Sequence, residues 1–371
     1  MSTSRIGVTG AHGFVGGHLV NHLRHVRGLE VATYDVPDFA DAETLVAFAN
    51  SVDVVVHLAA VNRDEDEQRL HDTNVRLVER LVAACTQATT PPAIVFSSST
   101  HIDRDTLYAQ SKRRGMELLE AYAKTAGSRV VNLVIPNVFG PFAQPKYNSV
   151  VATFCHRIAR GEAVEIHQDA PLDLIYVNEL VEVITEAALG SASGRLDVTA
   201  RHHINVAALA QTLSVMHAGF SESGTVPDLA DATTRALFNT YYCYWYEAHG
   251  QRVFQRHTDD RGSFIEVART LGRGQFSYST TVPGVTRGNH FHTRKAERFA
   301  VIAGRARISV RRVGRADVRH FDVDGDTPGY VDMPVWHTHN ITNTGDETLV
   351  CLFWISEPYD PSDADTYFVN V

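Results

Sequence analysis

Two kinds of segment alternate through the first 215 or so residues of this 371-residue chain, and that alternation limits the folds it can adopt. Short, continuous apolar runs are separated by longer stretches whose apolar residues recur at helical spacing. An unbroken apolar run fits a strand that is buried on both faces, so the pattern predicts a parallel sheet covered by helices on both sides. The predicted strands are Ile6–Thr9, Glu30–Tyr34, Val52–Leu58, Ala93–Phe96 and Val130–Ile135, and the predicted helices are His12–Arg27, Thr73–Ala88 and Ser111–Ala126.

The pattern changes near Arg252. From there on, short β-rich runs are separated by Gly, Pro and Asp turns, which is typical of a barrel or sandwich. A chain of this length is expected to form two domains. The sequence therefore predicts an α/β domain over residues 1–246 and an all-β domain over residues 252–371, joined by a linker at Glu247–Gln251.

Composition excludes several classes of protein. The 34 basic and 43 acidic side chains give a formal net charge of −9, which argues against general nucleic-acid binding because a phosphate backbone requires a basic face. No apolar run approaches the ~20 residues of a membrane-spanning helix. The four cysteines lie far apart without a CxxC pair, which favours free thiols in a reducing compartment. With no predicted signal peptide, the expected location is the cytoplasm, without nucleic-acid or membrane partners.

A glycine-rich turn follows the first predicted strand and opens the first predicted helix. Gly10, Gly13 and Gly16 are spaced three residues apart in the sequence TGAHGFVG. Glycines in this context permit a tight turn, a close approach of the backbone to a pyrophosphate and helix–strand packing, so they predict a dinucleotide site. Asp35 ends the second predicted strand, and no arginine follows at residues 36–38. A carboxylate there can bind a ribose diol and repels a 2′-phosphate, which favours NAD(H) over NADP(H).

A tyrosine and a lysine form a YxxxK pair, Tyr108 and Lys112, at the start of a predicted helix. Spacing four places both side chains on one helix face, where an ammonium group is expected to lower the pKa of the tyrosine. Such a tyrosine can exchange a proton with a sugar hydroxyl or ketone. The serines at 97–99 end the preceding predicted strand and can hydrogen-bond the same oxygen.

The order of these motifs resembles that of the extended short-chain dehydrogenase/reductases. TGAHGFVG, VHLAA at 56–60, the serine strand end, YxxxK and PNVFGP at 136–141 all occur in the family's sequence. The resemblance implies a Rossmann fold, a nicotinamide cofactor and a nucleotide-sugar substrate. It implies that Ser99, with Thr100 as the alternative, Tyr108 and Lys112 are catalytic. It also implies cofactor binding by Gly10, Gly13, Phe14, Val15, Gly16, Asp35, Leu58, Ala59, Ala60 and Lys112, and substrate binding by Asn137 and Asn148.

Two departures from that family concern the segment after Ser99. Only eight residues separate Ser99 from Tyr108, which is short for the family. Sugar 4,6-dehydratases of the family carry an acidic pair just after the serine or threonine, whereas this chain has Thr100 and His101. The resemblance therefore does not extend to dehydration.

The β-rich part contains a set of metal-ligand side chains. His290 and His292 lie two apart on a predicted strand and so share a face, and Glu297 follows. A third histidine, His337 or His339, comes later in the sequence PVWHTH, with the spacing to Asn343 favouring His339. Three imidazoles and a carboxylate suit a divalent metal such as Zn, Fe, Mn or Ni.

This ligand pattern resembles the two motifs of the cupin barrel, with Trp336 where that family usually has glycine. The segments at 260–266 and 287–291 are also similar to dTDP-4-dehydrorhamnose 3,5-epimerases, in which the motif histidine is a base that removes a proton next to a ketone. The two resemblances assign His290 different roles, ligand or base. The complete ligand set favours the ligand.

A reductase domain followed by a cupin resembles, nearly end to end, the CapF-type bifunctional enzymes of capsule synthesis. HLAAVNR at 57–63, KYNSVVATF at 146–154, RGNHFH at 287–292 and DTYF at 365–368 carry that resemblance. It implies a cupin, holding one divalent metal, that epimerises carbon 3 of a UDP-4-keto-6-deoxy-N-acetylhexosamine. It further implies a reductase that then reduces the ketone to UDP-2-acetamido-2,6-dideoxy-L-talose or a close relative, in a homodimer.

Two alternatives stay open at this point. The family's reductase is linked to NADPH, whereas Asp35 favours NADH. The cupin can instead be a binding or dimerisation module beside a reductase or a 4-epimerase that retains NAD.

Overall fold

The computed structural model describes residues 4–35, 39, 41–254, 257–259, 262–264, 267–272, 274–357 and 359–371. Its chain divides into two compact units. One comprises the residues up to 139 together with 143–149 and 171–204, and the other comprises 140–142, 150–170 and the residues from 205 onward. Within the described residues, no helix has both the length and the apolar character that crossing a bilayer requires.

The first unit is built on a six-stranded parallel sheet, as the alternation predicts. Its strands stand in the order β2-β1-β3-β4-β5-β8. The strand bounds are β1 Ile6–Thr9, β2 Val31–Tyr34, β3 Val54–His57, β4 Ala93–Ser99, β5 Val130–Ile135 and β8 Gly194–Asp197. The order reverses between β1 and β3, and a ligand crevice in such sheets lies at the carboxyl ends of the strands beside that reversal.

Helices cover both faces of this sheet. They are α1 Phe14–Asn21, continued by a π-helical turn at His22–Val26, then α2 Ala42–Ser51, α3 Glu67–Gln87, α4 Leu107–Ala126 and α6 Val177–Leu189. Strand β3 shows why its sequence is continuously apolar: Val54 and Val56 belong to the core on one face, and Val55 belongs to the core on the other. A smaller sheet of three strands, β6 Asn137–Phe139, β7 Pro171–Tyr176 and β9 His202–Asn205, completes this part of the chain.

The second unit contains two five-stranded sheets, in the orders β11-β20-β17-β22-β15 and β19-β18-β21-β16-β23. Their inward faces form one apolar core. The bounds are β11 Arg252–Val253, β15 Gln275–Thr281, β16 Thr286–Phe291, β17 Glu297–Ala303, β18 Arg305–Arg312, β19 Val318–Asp324, β20 Gly329–Met333, β21 His337–Asn343, β22 Leu349–Ile355 and β23 Tyr367–Phe368. Short pairs are formed by β10 Thr225–Val226 with β14 Arg269–Thr270, and by β12 His257–Asp259 with β13 Gly262–Phe264.

Three helices belong to the same compact unit as these sheets: α5 Val150–Ile158, α7 Val206–Ser223 and α8 Ala232–His249. Helix α8 carries the aromatic run from Tyr241 to Tyr246, every residue of which is buried, so it is an internal helix rather than an amphipathic surface one. It continues through His249, which leaves only Gly250 and Gln251 of the predicted linker outside regular structure. The domain boundary between 246 and 252 stays a prediction.

A buried ion pair joins two neighbouring strands of the first barrel sheet. Arg298 of β17 faces Asp332 of β20 in register, with Nε 2.7 Å from Oδ1. The side chains are only 2% and 0% exposed, and the guanidinium also lies 3.9 Å from the ring centroid of Tyr330. Neither charge has access to water, so each depends on the other for its solvation.

We predict that Arg298→Met destabilises this unit by about 3–5 kcal/mol, because it leaves the Asp332 carboxylate buried and unpaired. The matched control is Arg307→Met, which removes an Arg–Asp pair of the same cross-strand type, with Asp322, from the surface. That variant should unfold like the wild type. The chain's three tryptophans, Trp245, Trp336 and Trp354, all lie in this unit, so urea unfolding followed by tryptophan fluorescence reports on it selectively. Equal losses in the two variants would contradict the prediction.

Candidate functional site

The glycine-rich turn is closed by contacts that leave no room for side chains. Gly10 has a φ of +72°, and a Cβ built on it would lie 2.7 Å from the backbone nitrogen of Ala59. A Cβ on Gly16 would lie 2.0 Å from the carbonyl oxygen of Gly10. Gly13 is the N-cap of α1. The N–H groups of the first helical turn, which have no partner within the helix, therefore lie beside the glycine turn. This is the geometry that brings a backbone and a helix N-terminus up to a pyrophosphate.

Asp35 lies at the carboxyl end of β2 and faces this turn. Its Oδ2 is 2.5 Å from Nδ1 of His12, and its Oδ1 accepts from the His12 backbone N–H at 3.4 Å. The His12 imidazole is 84% exposed and the Asp35 carboxylate is 18% exposed, so His12 lies on the solvent-facing side of the pair. Asp35 is therefore placed beside the glycine turn, which is where a ribose diol would meet it.

The structure brings Ser99, Tyr108 and Lys112 together. Ser99 ends β4, and Tyr108 and Lys112 lie in the first two turns of α4, whose start is capped by the Thr106 side chain on the Ala109 N–H. Ser99 lies close enough to the Tyr108 phenol to lower its pKa, and Nζ of Lys112 lies 5.7 Å from the centre of the Tyr108 ring. Thr100, the alternative to Ser99, is exposed in the turn that follows β4.

The electrostatics of this triad differ from the expectation in one respect. Burial raises the pKa of Tyr108 to about 12, and the nearby Ser99 hydroxyl offsets this only in part, so the expected lowering of its pKa is wrong. Burial also lowers the pKa of Lys112 to about 8. Desolvation disfavours both charged forms and exceeds the stabilisation that the neighbours provide. At neutral pH Tyr108 is therefore a proton donor, and Lys112 is predominantly charged.

A hydrogen-bond chain ties Lys112 to the glycine turn. Its ammonium donates to the carbonyl of Ser97 at 2.9 Å, and the Ser97 hydroxyl donates to the carbonyl of His57 at the end of β3. Nδ1 of His57 is 2.7 Å from Oγ1 of Thr9, the residue before Gly10. Burial, followed by the charge of Lys112, lowers the pKa of His57 to about 3 and keeps it neutral. Nothing in the sequence motifs indicated this chain of contacts.

The two residues implied in substrate binding both lie at the surface. Asn137 opens β6, and Asn148 donates from Nδ2 to the carbonyl of Asn62 at 3.2 Å. The adjacent Tyr147 accepts at its hydroxyl from the Arg63 N–H at 3.2 Å and lies near enough to Tyr108 to raise its pKa further. Tyr147 lies in the segment at 146–154 that carries part of the family resemblance, but no motif indicates its proximity to Tyr108. The substrate-binding roles of Asn137 and Asn148 stay predictions.

In the second unit, four side chains converge as the ligand pattern predicts. One ligand atom from each of His290, His292, Glu297 and His339 lies within 4.8 Å of the others. Strand β16 supplies His290, and β17 and β21 supply Glu297 and His339. His339 pairs in register with His290 across the two strands, whereas His337 packs against Phe142 and Tyr246. The structure thus places His339, not His337, in the cluster.

Backbone carbonyls fix which nitrogen of each ring faces the cluster. Nδ1 of His292 lies 2.5 Å from the carbonyl of Asp365, and Nδ1 of His339 lies 3.1 Å from the carbonyl of His337. A carbonyl can only accept, so each Nδ1 carries a proton, and Nε2 is the nitrogen of each ring that faces Glu297. These two Nε2 atoms lie 3.3 and 2.8 Å from Oε2 of Glu297. Among the described residues, these two nitrogens and Oε2 of Glu297 are buried and have no hydrogen-bond partner, which is an arrangement suited to a bound cation.

The groups of the cluster shift one another's pKa values: burial lowers the pKa of His292, but the Glu297 carboxylate outweighs this effect and raises it. Burial raises the pKa of Glu297, but His292 and His339 outweigh that effect and hold its pKa well below the usual range. Burial lowers the pKa of His290 to about 4, with a smaller contribution from His339. His290 is therefore neutral at neutral pH, and it is the least buried of the four residues.

The backbone conformation of Trp336 explains how the turn forms without the glycine that is usual in cupins. Trp336 occupies the position at which that family usually has glycine, and its φ of +60° is the left-handed conformation that glycine favours. The turn is thus retained despite the side chain. The backbone N–H of Trp336 donates to the carbonyl of His292 at 2.8 Å. Its indole ring stacks on the Phe291 ring, with centroids 5.2 Å apart. The competing motif at 260–266 lies partly outside the described residues, since residues 260, 261, 265 and 266 are not among them.

Two family models match the chain, one on each side of the change in sequence pattern. Residues 6–207 match the NAD dependent epimerase/dehydratase family, and residues 257–367 match the polysaccharide biosynthesis C-terminal domain. The first match covers the glycine turn and the Ser99–Tyr108–Lys112 triad, and the second covers the histidine cluster.

Two relatives are similar over nearly the whole chain. A UDP-2-acetamido-2,6-beta-L-arabino-hexul-4-ose reductase of Pseudomonas aeruginosa is 34% identical over 98% of each chain. The capsular polysaccharide assembling protein CapF of Staphylococcus aureus has a crystal structure that aligns over 99% of this chain and 100% of its own, with 33% identity and a TM-score of 0.62. A UDP-glucose 4-epimerase of Thermus thermophilus, 24% identical, aligns over 58% of this chain and 83% of its own with a TM-score of 0.51, and shares the fold.

We predict that Gly16→Ala weakens NAD(H) binding at least about tenfold, because its Cβ would collide with the Gly10 carbonyl and force the turn open. The control is Gly17→Ala, one residue along the same helix, where a Cβ meets its nearest neighbour at an ordinary 3.6 Å. Titration calorimetry with NAD⁺ and NADH should find the wild-type affinity in that variant. Unchanged binding in Gly16→Ala would show that the turn does not hold the dinucleotide.

Proposed function

The chain belongs to the CapF-like family, in which an NAD dependent epimerase/dehydratase domain precedes a polysaccharide biosynthesis C-terminal domain, and on that premise we propose a bifunctional nucleotide-sugar enzyme. The substrate is a UDP-4-keto-6-deoxy-N-acetylhexosamine. The barrel epimerises its carbon 3, and the domain at 1–246 reduces the 4-ketone. The product is UDP-2-acetamido-2,6-dideoxy-L-talose or a close relative for polysaccharide synthesis. The observation that carries the reduction is the convergence of Ser99, Tyr108 and Lys112 in one site.

Reduction of a ketone needs a hydride and a proton, and the triad is suited to deliver the proton. The reduced nicotinamide supplies the hydride when it is bound. Tyr108 is protonated at neutral pH, so its phenol can donate to the oxygen that gains negative charge. The Ser99 hydroxyl, which lies close to that phenol, can donate its own hydrogen bond to the substrate oxygen. The ammonium of Lys112 stands beside the ring and stabilises the phenolate that remains.

For the cofactor we propose NADH. The Asp35 carboxylate stands at the end of β2 beside the glycine turn, where it can accept hydrogen bonds from both hydroxyls of a ribose. A 2′-phosphate in the same position would place like charges together. His12 covers the solvent side of this carboxylate, so a ribose diol would approach Asp35 from the turn.

For the barrel we propose one divalent metal, most simply Zn, held by His290, His292, Glu297 and His339. When bound, such a cation supplies positive charge that polarises a ketone and acidifies the neighbouring C–H. The chain's residues contribute a preorganised set of ligand atoms, because the carbonyls of Asp365 and His337 fix two of the imidazole rings. Phe299 packs against His339 with ring centroids 5.5 Å apart, which gives this side of the cluster an apolar wall. Epimerisation precedes reduction in this scheme, because removing the ketone ends the acidity that epimerisation needs.

We predict that Tyr108→Phe lowers the rate of ketone reduction by ~10²–10⁴-fold, the usual contribution of a general acid. The assay supplies the UDP-4-keto sugar with NADH, and with NADPH for comparison, and follows cofactor oxidation and the product by NMR. Deuterium uptake from solvent at carbon 3 should persist in this variant. Tyr122→Phe, farther along α4 with its hydroxyl on the Pro92 carbonyl, is the matched control and should reduce normally. Normal reduction by Tyr108→Phe would remove the triad from the mechanism.

We predict that His339→Ala loses the metal and the deuterium uptake at carbon 3, whereas His337→Ala keeps both. The two histidines lie two residues apart on β21, and only His339 is part of the cluster. Metal content by elemental analysis and melting temperature are measured alongside exchange, so that a loosened barrel is distinguished from a lost ligand. Exchange in a protein free of metal would make His290 the base instead. A metal-bound protein without exchange would make the barrel a binding module.

A further inference from the structure

We propose that a segment remote in sequence from both histidine motifs holds the cluster in its binding geometry, through Asp365 as a positioning residue. This segment, residues 364–369, is named the latch segment. The proposal rests on the metal site put forward above, because a positioning residue has meaning only if the four side chains bind a cation. It goes further by assigning the affinity of that site in part to a residue that contributes no ligand atom.

The carboxylate of Asp365 organises the backbone directly after His292. Its Oδ1 accepts from the backbone N–H of Thr293 at 3.0 Å and from the Thr293 hydroxyl at 2.6 Å. Its Oδ2 accepts from the backbone N–H groups of Arg294 at 3.0 Å and Lys295 at 3.1 Å. Four donors thus converge on one buried carboxylate, and the turn that leads from His292 to Glu297 is built around it.

The backbone of the same residue sets the orientation of His292. The Asp365 carbonyl lies 2.5 Å from Nδ1 of His292, so Nδ1 is the protonated nitrogen and Nε2 faces Glu297 at 3.3 Å. Asp365 has a φ of +42°, a conformation that non-glycine residues rarely adopt and that persists only where neighbouring contacts enforce it. The side-chain bonds to residues 293–295 supply that enforcement. One residue therefore fixes both the ligand ring and the chain that follows it.

The rest of the latch segment ties it to the other ligand strand. Strand β23 pairs antiparallel with β16, where Phe368 is in register with His290. The N–H of Val369 donates to the carbonyl of Asn289 at 2.9 Å, within the bulge that separates Gly288 from His290. Lys295 is buried and donates from Nζ to the carbonyl of Ala364 at 2.9 Å. The latch segment thus contacts both histidines of the first motif. It pairs with the strand at His290, and it forms a hydrogen bond with the ring of His292.

Asp365→Asn is the test, because it keeps the size of the side chain and the backbone carbonyl. An amide can present its oxygen to only one of the two donor pairs, and its NH₂ group then opposes the other pair. Loss of such an outer contact typically lowers metal affinity by about 10–100-fold. Asp363→Asn is the matched control: Asp363 is two residues away and 63% exposed, and its carboxylate pairs with the Arg294 side chain.

The experiment uses the full chain, stripped with a chelator and titrated with Co²⁺, whose visible absorption reports the ligand set. We expect Asp365→Asn to bind Co²⁺ about 10–100-fold more weakly and with altered absorption bands. Asp363→Asn should match the wild type in both. Melting temperatures of the metal-free proteins are measured in parallel, and a purely structural role would lower them without changing the bands or the affinity of the folded protein.

A second variant covers the case in which Asp365→Asn does not fold. Thr293→Val removes one hydroxyl bond to Oδ1 and should weaken Co²⁺ binding by a few-fold while circular dichroism stays unchanged. Wild-type affinity and absorption in either folded variant would overturn the proposal. A wild-type chain that binds neither Co²⁺ nor Zn²⁺ would instead overturn the metal site, and the role of the latch segment with it.

Discussion

The structure depends on one constraint above others: ionised groups that are removed from water must be given partners inside the protein. Desolvating a charge without compensation costs several kcal/mol, which is comparable to the net stability of a domain. Lys112 and Asp365 are both buried. Each is met by fixed donors or acceptors, and in each case the partner is backbone or a side chain fixed by backbone. The same burial raises the pKa of Tyr108 and lowers that of Lys112, so stability and reactivity in the triad have a common physical origin.

The two sites solve the problem of positioning in different ways. In the first unit, reactive groups lie at the ends of strands and the start of a helix, so a regular sheet fixes their distances, and the contacts from Lys112 through Ser97 and His57 reach back to the glycine turn. In the second unit, the ligands come from three strands and a turn. The turn is shaped by hydrogen bonds to Asp365, whose own place in the sequence is about 70 residues away.

Much of this could be predicted because periodicity and spacing are local properties. Continuous apolar runs predicted the parallel sheet, the glycine spacing predicted a turn without room for side chains, and the HxH…E…H pattern predicted three of the four clustered side chains outright. The spacing to Asn343 favoured His339 over His337, and the register of β21 against β16 places His339 opposite His290. The high pKa of Tyr108 depends on how deeply α4 packs, and spacing does not encode burial. Asp365 is part of the DTYF segment that carries the family resemblance, but its role was not predicted. It acts through its own carbonyl and on three backbone N–H groups, and backbone groups display no residue type that a motif could show.

The strained backbone at Trp336 limits the order in which substitutions can accumulate in this sequence during evolution. The left-handed backbone of Trp336 is the one that glycine adopts without cost, while its ring fills the space against Phe291. Replacing Trp336 with glycine would relieve the backbone strain but leave a void beside Phe291. A larger residue at 291 would have no space until position 336 had changed. The two positions are therefore epistatic, and the order in which substitutions arrive decides which of them are tolerated. Evolution toward a glycine at this turn therefore passes through intermediates that have either a strained backbone at 336 or a packing void beside 291.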